Sequence, residues 1–299
     1  MFKNLVPVLF EDRRPDDGLP MSDAKNNEDL LKQHYGRPDL AQTLFEALAQ
    51  AGRKISSYKD TAAFDEFHMR GREATLELAR LAGLRPGQRV LDLGCGLGGP
   101  SRLLAAEFGC QVQGIDLMAE FIQVATRLTQ MVGLEEKVSF QQGNMLELPY
   151  DDGAFDVAWS QHTFMNIEDK LRLAAQIQRV LKVDGMLAMY EIFRGQAPPI
   201  HYPVQWAGDA STNFLISLEE MLLLLQDAGF KTVHQQDVTQ ACCQWFEALI
   251  HQMQNRPRQS PPIGLNLVIG PGAAEKARNT GRNLRENRIQ VAYLVLTRT

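Results

Sequence analysis

The residue types and spacings that can do chemistry gather in a few short stretches. In VLDLGCGLGG, Val90 to Gly99, the glycines at 94, 96 and 98 leave no side chain between the backbone amides and a ligand lying above the turn. Gly94, Gly96 and Gly99 also satisfy the G-x-G-x-x-G pattern of dinucleotide enzymes, so the loop alone points to a nucleoside cofactor without choosing one. Asp116, twenty residues past Gly96, suits a carboxylate that grips ribose hydroxyls. Asp92 stands where a dinucleotide-binding strand is normally apolar; its carboxylate either faces an ammonium group or caps the turn that follows. Gly143-Asn144-Met145 offers a side-chain acceptor and a backbone N–H to an adenine edge, or is a plain turn.

Candidates for acid–base work are fewer. His162 and Asn166 lie four residues apart and share a face if that turn is helical. His162 is either a general base or a hydrogen-bonded structural histidine; Asn166 cannot act as a base. His68 and Gly71, in Phe67-His68-Met69-Arg70-Gly71-Arg72, precede a helix, and His68 either contacts a ligand or is satisfied at the surface. Arg72 either meets a carboxylate or is solvated. Tyr35, in His34-Tyr35-Gly36-Arg37, is a candidate for a flap over the substrate, while Tyr202 and Trp206 can stack on a cation or fill a small core of their own. The six histidines show no H-x-x-x-H spacing and no accompanying carboxylate cluster, so no metal is expected. Ser101 follows Pro100 at a helix start without an elbow pattern, which leaves Ser-His-Asp hydrolysis unsupported.

These residues need a frame, and hydrophobic periodicity supplies one. Helices are predicted over Leu40–Ala51 and Arg72–Ala82. Strands Arg89–Leu93, Gln111–Asp116, Val138–Gln142, Phe155–Ser160 and Met186–Phe193 then alternate with helices Pro100–Phe108, Ala119–Val132 and Asp169–Leu181. Such alternation means a parallel sheet with helices on both faces, and ligands bind beyond the C-terminal ends of its strands. Gly94, Asp116, Asn144 and Gln161 all fall at or just past strand ends. Residues 194–216 break the rhythm with prolines, glycines and aromatics, and read as a lid over the ligand edge. Helix Leu218–Ala228 opens with a Ser217/Glu220 capping box; strands Lys231–Asp237 and Ile289–Thr297 flank a mostly helical insert, 238–288. Residues 1–29 read as an extension, 30–71 as a helical flap and 72–299 as the core.

Composition narrows the class. At 299 residues, 44% hydrophobic and 22% charged, the chain suits one large soluble domain or a core with a cap. A net charge of −5 argues against a phosphate-tracking surface and hence against a nucleic-acid partner. Cys95, Cys110, Cys242 and Cys243 lack a paired framework or zinc spacing, which fits a reducing cytoplasm. The apolar run Leu5–Phe10 is too short to span a membrane, and nothing else approaches a span of about 18 apolar residues. Apolar residues between Trp245 and Ile269 can support a homodimer.

Taken in order, DLGCGLGG, GIDL, GNMLELP, FDVAWSQ and RVLKVDG resemble the successive motifs of class I S-adenosylmethionine-dependent methyltransferases, across about residues 70 to 195. WSQHTFMNIEDKL and FDEFHMRGREAT resemble the small-molecule branch that contains sarcosine/dimethylglycine and phosphoethanolamine N-methyltransferases. The resemblance implies an α/β, Rossmann-like sheet of seven mostly parallel strands, the last antiparallel, with helices on both faces and a lid or cap from insertions. It implies S-adenosyl-L-methionine as cofactor and S-adenosyl-L-homocysteine as product. Gly94 and Gly96 would contact the cofactor, Asp116 its ribose, and Leu117, Asn144 and Met145 its adenine; Asp92, Gln161 and Gly71 complete the expected set. Many members carry aspartate where Asn144 stands, but an asparagine still accepts from an adenine amino group. A histidine involved in catalysis in the phosphoethanolamine enzymes aligns with Asn166, which cannot act as a base; His162 is the candidate to replace it, or is a hydrogen-bonded structural histidine.

The expectation is therefore methyl transfer to a small molecule, an amine nitrogen foremost. A carbon or oxygen acceptor of prenyl, quinone-like or specialised type is the alternative reaction. A module that binds the cofactor without turnover is the alternative of another class, and an NAD-dependent dehydrogenase leaves Asp92 and the later motifs unexplained.

Overall fold

Strongly apolar strands and amphipathic helices alternate through the middle of the chain, and they close into one sheet. The computed structural model describes residues 21–197, 199–254, 263–270 and 272–299. Helices α1 (Met21–Tyr35), α2 (Leu40–Gln50), α3 (Ala62–Asp65) and α4 (Gly71–Leu81) precede β1 (Arg89–Leu93). Then follow α5 (Gly99–Phe108), β2 (Gln111–Asp116), α6 (Ala119–Met131), β3 (Val138–Gln142), β4 (Phe155–Gln161), α7 (Lys170–Val180) and β5 (Leu181–Arg194). The chain ends with α8 (Leu218–Asp227), β6 (Phe230–Asp237), α9 (Thr239–Gln254), α10 (Asn266–Ile269), α11 (Ala273–Arg285) and β7 (Ile289–Arg298). Strand order is β3-β2-β1-β4-β5-β7-β6, with β1 to β5 parallel and β7 antiparallel to both its neighbours.

The central strands are buried on both faces, as parallel strands under helices must be, so β1 is apolar at Val90, Leu91 and Leu93. On one face Ala74, Leu78 and Ala79 of α4 and Leu103 and Leu104 of α5 pack with Val90, Trp159, Tyr190 and Tyr293. On the other, Leu173 and Ile177 of α7 and Met221 and Leu225 of α8 pack with Leu91, Leu187 and Leu294. A third cluster joins Leu40, Leu44 and Leu48 of α2 to Phe121, Val124 and Leu128 of α6. Among the described residues no helix is long and apolar enough to cross a membrane.

Two expectations need correction. Helix α1 begins at Met21, inside the stretch read as an extension; among its residues 27–35 the buried apolar one is Leu31, and so narrow a stripe gives little periodic signal, the helix being held by contacts made elsewhere in the chain. Residues 1–20, with the run Leu5–Phe10, lie outside the described residues. The second is the fifth strand, predicted to begin at Met186: β5 begins at Leu181 and absorbs Val183-Asp184-Gly185, where its register with β4 shifts and Asp184 takes a φ of 60°. The stretch Trp245–Ile269 is interrupted by residues 255–262, which also lie outside the described residues.

Candidate functional site

The glycine loop leaves β1 and is tied at once to β2, because Gly94 N and Cys95 N donate to Ile115 O at 2.9 and 3.1 Å. Gly94 sits at φ 70°, and a Cβ there would stand 2.5 Å from Thr163 Cγ2; one on Gly96 would stand 3.0 Å from the Phe67 ring. Bare backbone thus lets the segments around Phe67 and Thr163 close over the loop. Asp116 Oδ2 accepts from Gly96 N and Oδ1 from Met118 N, each at 2.9 Å, and burial pushes the carboxyl up to about 6. Gly143 N donates to Asp116 O at 2.9 Å, which draws the Asn144 turn to the same edge. Gly94, Gly96, Asp116, Leu117, Asn144 and Met145 therefore gather at the C-terminal ends of β1 to β3. Asn144 uses Oδ1 to cap its own turn at Leu146 N, 2.9 Å, and reaches Glu28 Oε2 of α1 with Nδ2 at 3.4 Å.

Asp92 does not join them. It is 3% exposed and accepts a short hydrogen bond from Ser101 Oγ at the start of α5, so its carboxyl ties strand to helix; burial pushes it up to about 7.

A second wall forms from the end of β4 and the segment before α4. Gln161 Oε1 accepts from Trp159 Nε1 at 2.9 Å and from Thr75 Oγ1 at 3.2 Å. His68 Nε2 donates to Gly71 O at 2.9 Å, lies 3.0 Å from Thr75 Oγ1 and 3.4 Å from Glu66 Oε2. Burial pushes His68 down to about 4 and, with Asp65 beside it, lifts Glu66 far above the usual carboxylate range. Arg70 opens α4 in a left-handed conformation, φ 62°, held by Glu77 Oε2 at 2.8 Å and the Tyr293 hydroxyl at 3.2 Å.

His162 has a φ of 51° and its ring lies on Tyr190, centroids 4.6 Å apart, which lies in turn on Tyr293 at 4.6 Å. Its Nδ1 accepts from Met69 N at 3.4 Å, and burial with His68 nearby keeps the ring neutral. A neutral imidazole that accepts at Nδ1 carries its proton at Nε2 and is a donor there. Three buried polar atoms on this wall, Gln161 Nε2, His162 Nε2 and Glu66 Oε2, have no hydrogen-bond partner. Buried groups of this kind are normally paired, and two N–H donors with one carboxyl oxygen fit the carboxylate and ammonium of an amino-acid moiety.

Asn166 is placed differently from expectation. The turn Phe164–Asn166 is a single 3-10 turn preceded by the left-handed His162, so the two side chains do not share a helical face. Asn166 Oδ1 accepts from the Tyr35 hydroxyl at 2.8 Å, and Nδ2 donates to Trp206 O at 2.9 Å and Thr212 O at 2.8 Å. It is a fully bonded tie between α1 and the connection after β5. Trp206 is 2% exposed, its indole N–H donating to Asn213 Oδ1 at 2.7 Å, and Tyr202 packs against the cluster that contains it, so the Trp206 ring is sealed in the protein core instead of offering a stacking face.

Sequence reasoning missed Glu66, Phe67, Thr75 and Thr163, and above all Glu191. This buried carboxylate accepts from Ser160 Oγ at 2.6 Å, Thr163 N at 2.9 Å and Phe164 N at 3.2 Å, and so shapes the turn after β4. A lone acid inside the apolar run Ala188–Phe193 is the signal that would have found it.

Residues 91–189 match the family model described as a methyltransferase domain. The chain is 30% identical over 168 residues to sterol 24-C-methyltransferase erg6 of Aspergillus fumigatus, covering 54% of this chain and 44% of that protein. It is 40% identical over 109 residues to the glycine/sarcosine/dimethylglycine N-methyltransferase of Actinopolyspora halophila, covering 36% and 19%. The chain thus spans less than half the length of either relative. Its fold superposes on phosphoethanolamine N-methyltransferase 2 of Haemonchus contortus, solved with phosphomonomethylethanolamine and S-adenosylhomocysteine, with a TM-score of 0.69 over 91% of this chain and 60% of that one, at 19% identity. The match to the methyltransferase-domain model thus falls within a chain that has the fold of class I methyltransferases.

Proposed function

We propose that this chain is an S-adenosylmethionine-dependent methyltransferase whose acceptor is a small molecule bearing an amine nitrogen. The observation that carries the cofactor assignment is the second wall, where Gln161, His162 and Glu66 hold buried polar atoms in reserve beside the glycine loop and Asp116. When bound, S-adenosylmethionine supplies a methyl group already activated on a sulfonium and leaves as S-adenosylhomocysteine. In this reading Asp116 takes the ribose hydroxyls, Leu117, Asn144 and Met145 border the adenine, and Gln161, His162 and Glu66 hold the amino-acid end under the Phe67–Gly71 segment. Asp92 serves the fold through Ser101.

The protein's work is then positioning and exclusion of water. His162 donates from Nε2 and is not the base. None is required when the amine enters neutral, and a dry wall of uncharged imidazoles and tyrosine rings lowers an amine's pKa by disfavouring its charged form. Tyr35 and Asn166 fasten the flap, and Trp206 and Tyr202 stiffen the connection that acts as the lid. Similarity to the glycine/sarcosine/dimethylglycine N-methyltransferase supports an amine acceptor. Similarity to the sterol 24-C-methyltransferase, with the Tyr190–Tyr293 stack, supports a second reading in which carbon or oxygen of a prenyl or quinone-like molecule is methylated.

The test is turnover with a ¹³C-methyl cofactor against sarcosine, dimethylglycine, phosphoethanolamine and a panel of prenyl and phenolic acceptors. An N-methyl resonance in the product supports the proposal. Label on carbon or oxygen alone transfers the assignment to the second reading, and product formation with none of them leaves a cofactor-binding module.

A further inference from the structure

A buried ion pair lies against the glycine loop. Arg102 stands in the first turn of α5 and Asp65 ends α3; their side chains are 0% and 1% exposed, and Arg102 Nη2 meets Asp65 Oδ2 at 2.6 Å. The same nitrogen donates to Leu97 O inside the loop at 2.7 Å, while Nη1 donates to Ala125 O at 3.3 Å and Thr129 Oγ1 at 3.1 Å on α6. One guanidinium thus joins the glycine loop, α6 and the end of α3. Two glycines leave room for it: a Cβ on Gly98 would press on the Phe140 ring and stand 2.9 Å from Arg102 Nη1, and one on Gly99 would stand 2.6 Å from Asp65 O. Gly99, unlike Gly94, Gly96 and Gly98, is not in the left-handed region, so room for Asp65 is what its bare backbone supplies.

Taking both charges out of water costs several kcal/mol per ion, and apolar side chains of similar volume commonly serve stability as well or better. What an ion pair adds is direction, because a planar guanidinium fixes where its acceptors lie. Asp65 is followed at once by Glu66, Phe67 and His68, of which Phe67 covers Gly96 and the other two line the second wall. This stretch is slung between two anchors, Asp65 on Arg102 and Arg70 on Glu77 and Tyr293. Its outer ties to α5, Tyr58 and Lys59 to Glu107, are exposed and hold little. Asp65 Oδ1 has no partner, so the carboxylate is held through Oδ2.

We propose that Arg102 and Asp65 are positioning residues for the cofactor site: their ion pair sets the height of Glu66, Phe67 and His68 over the glycine loop. The inference rests on the cofactor reading and adds to it the pair that aims the residues named there. Neither side chain touches the ligand; both act through the stretch that follows Asp65.

The test compares the full chain with Arg102→Met, with the double variant Asp65→Leu/Arg102→Met and with Asp65→Asn. Arg102→Met alone strands a buried carboxylate and is expected to lower the melting temperature, which the double variant recovers because no charge is left to bury. Binding is expected not to recover with it: calorimetry should find S-adenosylhomocysteine held about tenfold or more weakly by the double variant. Hydrogen exchange without ligand should rise over residues 64–71 in that variant while β1 and β4 stay protected. Asp65→Asn keeps an oxygen for Nη2 without the charge, and is expected to bind about fivefold more weakly than the parent. It carries the decision should the double variant not fold. Parent-like exchange over residues 64–71, or parent-like affinity in the folded variants, overturns the proposal. A parent chain that does not bind S-adenosylhomocysteine overturns the cofactor reading instead, and exchange over residues 64–71 still reports whether the pair holds that stretch.

Discussion

Asp116 holds the glycine loop by accepting Gly96 N–H and Met118 N–H at the strand ends, so in the proposed reading one side chain links loop shape to ribose binding. Asp116→Ala is expected to weaken S-adenosylhomocysteine binding by about tenfold or more, as for hydrogen bonds to a charged group, with Asp116→Asn intermediate; calorimetry reads both. Asp92 and Glu191 make a prediction about pH. Burial raises both to about 7, so the folded state holds their protons more tightly than the unfolded chain, and the stability they contribute at low pH is lost as pH rises through 7. His68, pushed down to about 4, acts oppositely: its contribution is complete above 6.5 and is lost as pH falls toward 4. Between pH 6.5 and about 8, Asp92 and Glu191 are expected to lower the unfolding free energy by about 1–2 kcal/mol in urea titrations. Glu66, raised to about 8, adds to the fall, and Lys170, pushed down to about 8 by burial, partly opposes it. Asp92→Asn keeps an acceptor for Ser101 and flattens that slope. At this scale the place of Asp116 was legible, because the strand pattern puts it at the end of β2 and twenty residues past Gly96, where it meets the glycine loop. The bond from Ser101 to Asp92 was not legible, because spacing alone cannot tell which side of a strand a carboxylate serves.

Helix α1 and the connection after β5 are the elements least legible in sequence. Each is polar or irregular by itself and acquires its place only through long-range bonds, Tyr35 to Asn166, His34 to Gln205 and Asn166 to Trp206 and Thr212. The strands were legible because the central ones are buried on both faces and all are bounded by glycine or polar turns, so that Arg89–Leu93, Gln111–Asp116 and Val138–Gln142 are found with the ends predicted. Asn166→Ala strands the Tyr35 hydroxyl and two carbonyls, and is expected to cost about 2 kcal/mol in urea unfolding. Hydrogen exchange should rise selectively over residues 27–35 and 204–213 while β4 stays protected, since only those segments lose their tie. Equal exchange in both segments, parent and variant, would show that Asn166 does not hold them.

The sheet order sets the geometry of the whole molecule. Parallel strands β1 to β4 deliver Gly94, Asp116, Asn144 and Gln161 to one edge, and α1, the segment before α4 and the connection after β5 fold across it. That arrangement is shared by proteins of many activities, so fold narrows the chemistry to a cofactor site and the side chains on the second wall must do the rest. Our central claim is that this wall and the glycine loop hold S-adenosylmethionine for transfer to an amine. The most direct measurement follows ¹³C-methyl S-adenosylmethionine by NMR with the amine panel, parent beside His162→Gln and His162→Phe. The account predicts an N-methyl product, largely retained in the glutamine variant, which still donates a hydrogen bond, and lost in the phenylalanine variant. An N-methyl product formed equally well by all three, or no transfer to any amine by the parent, contradicts it.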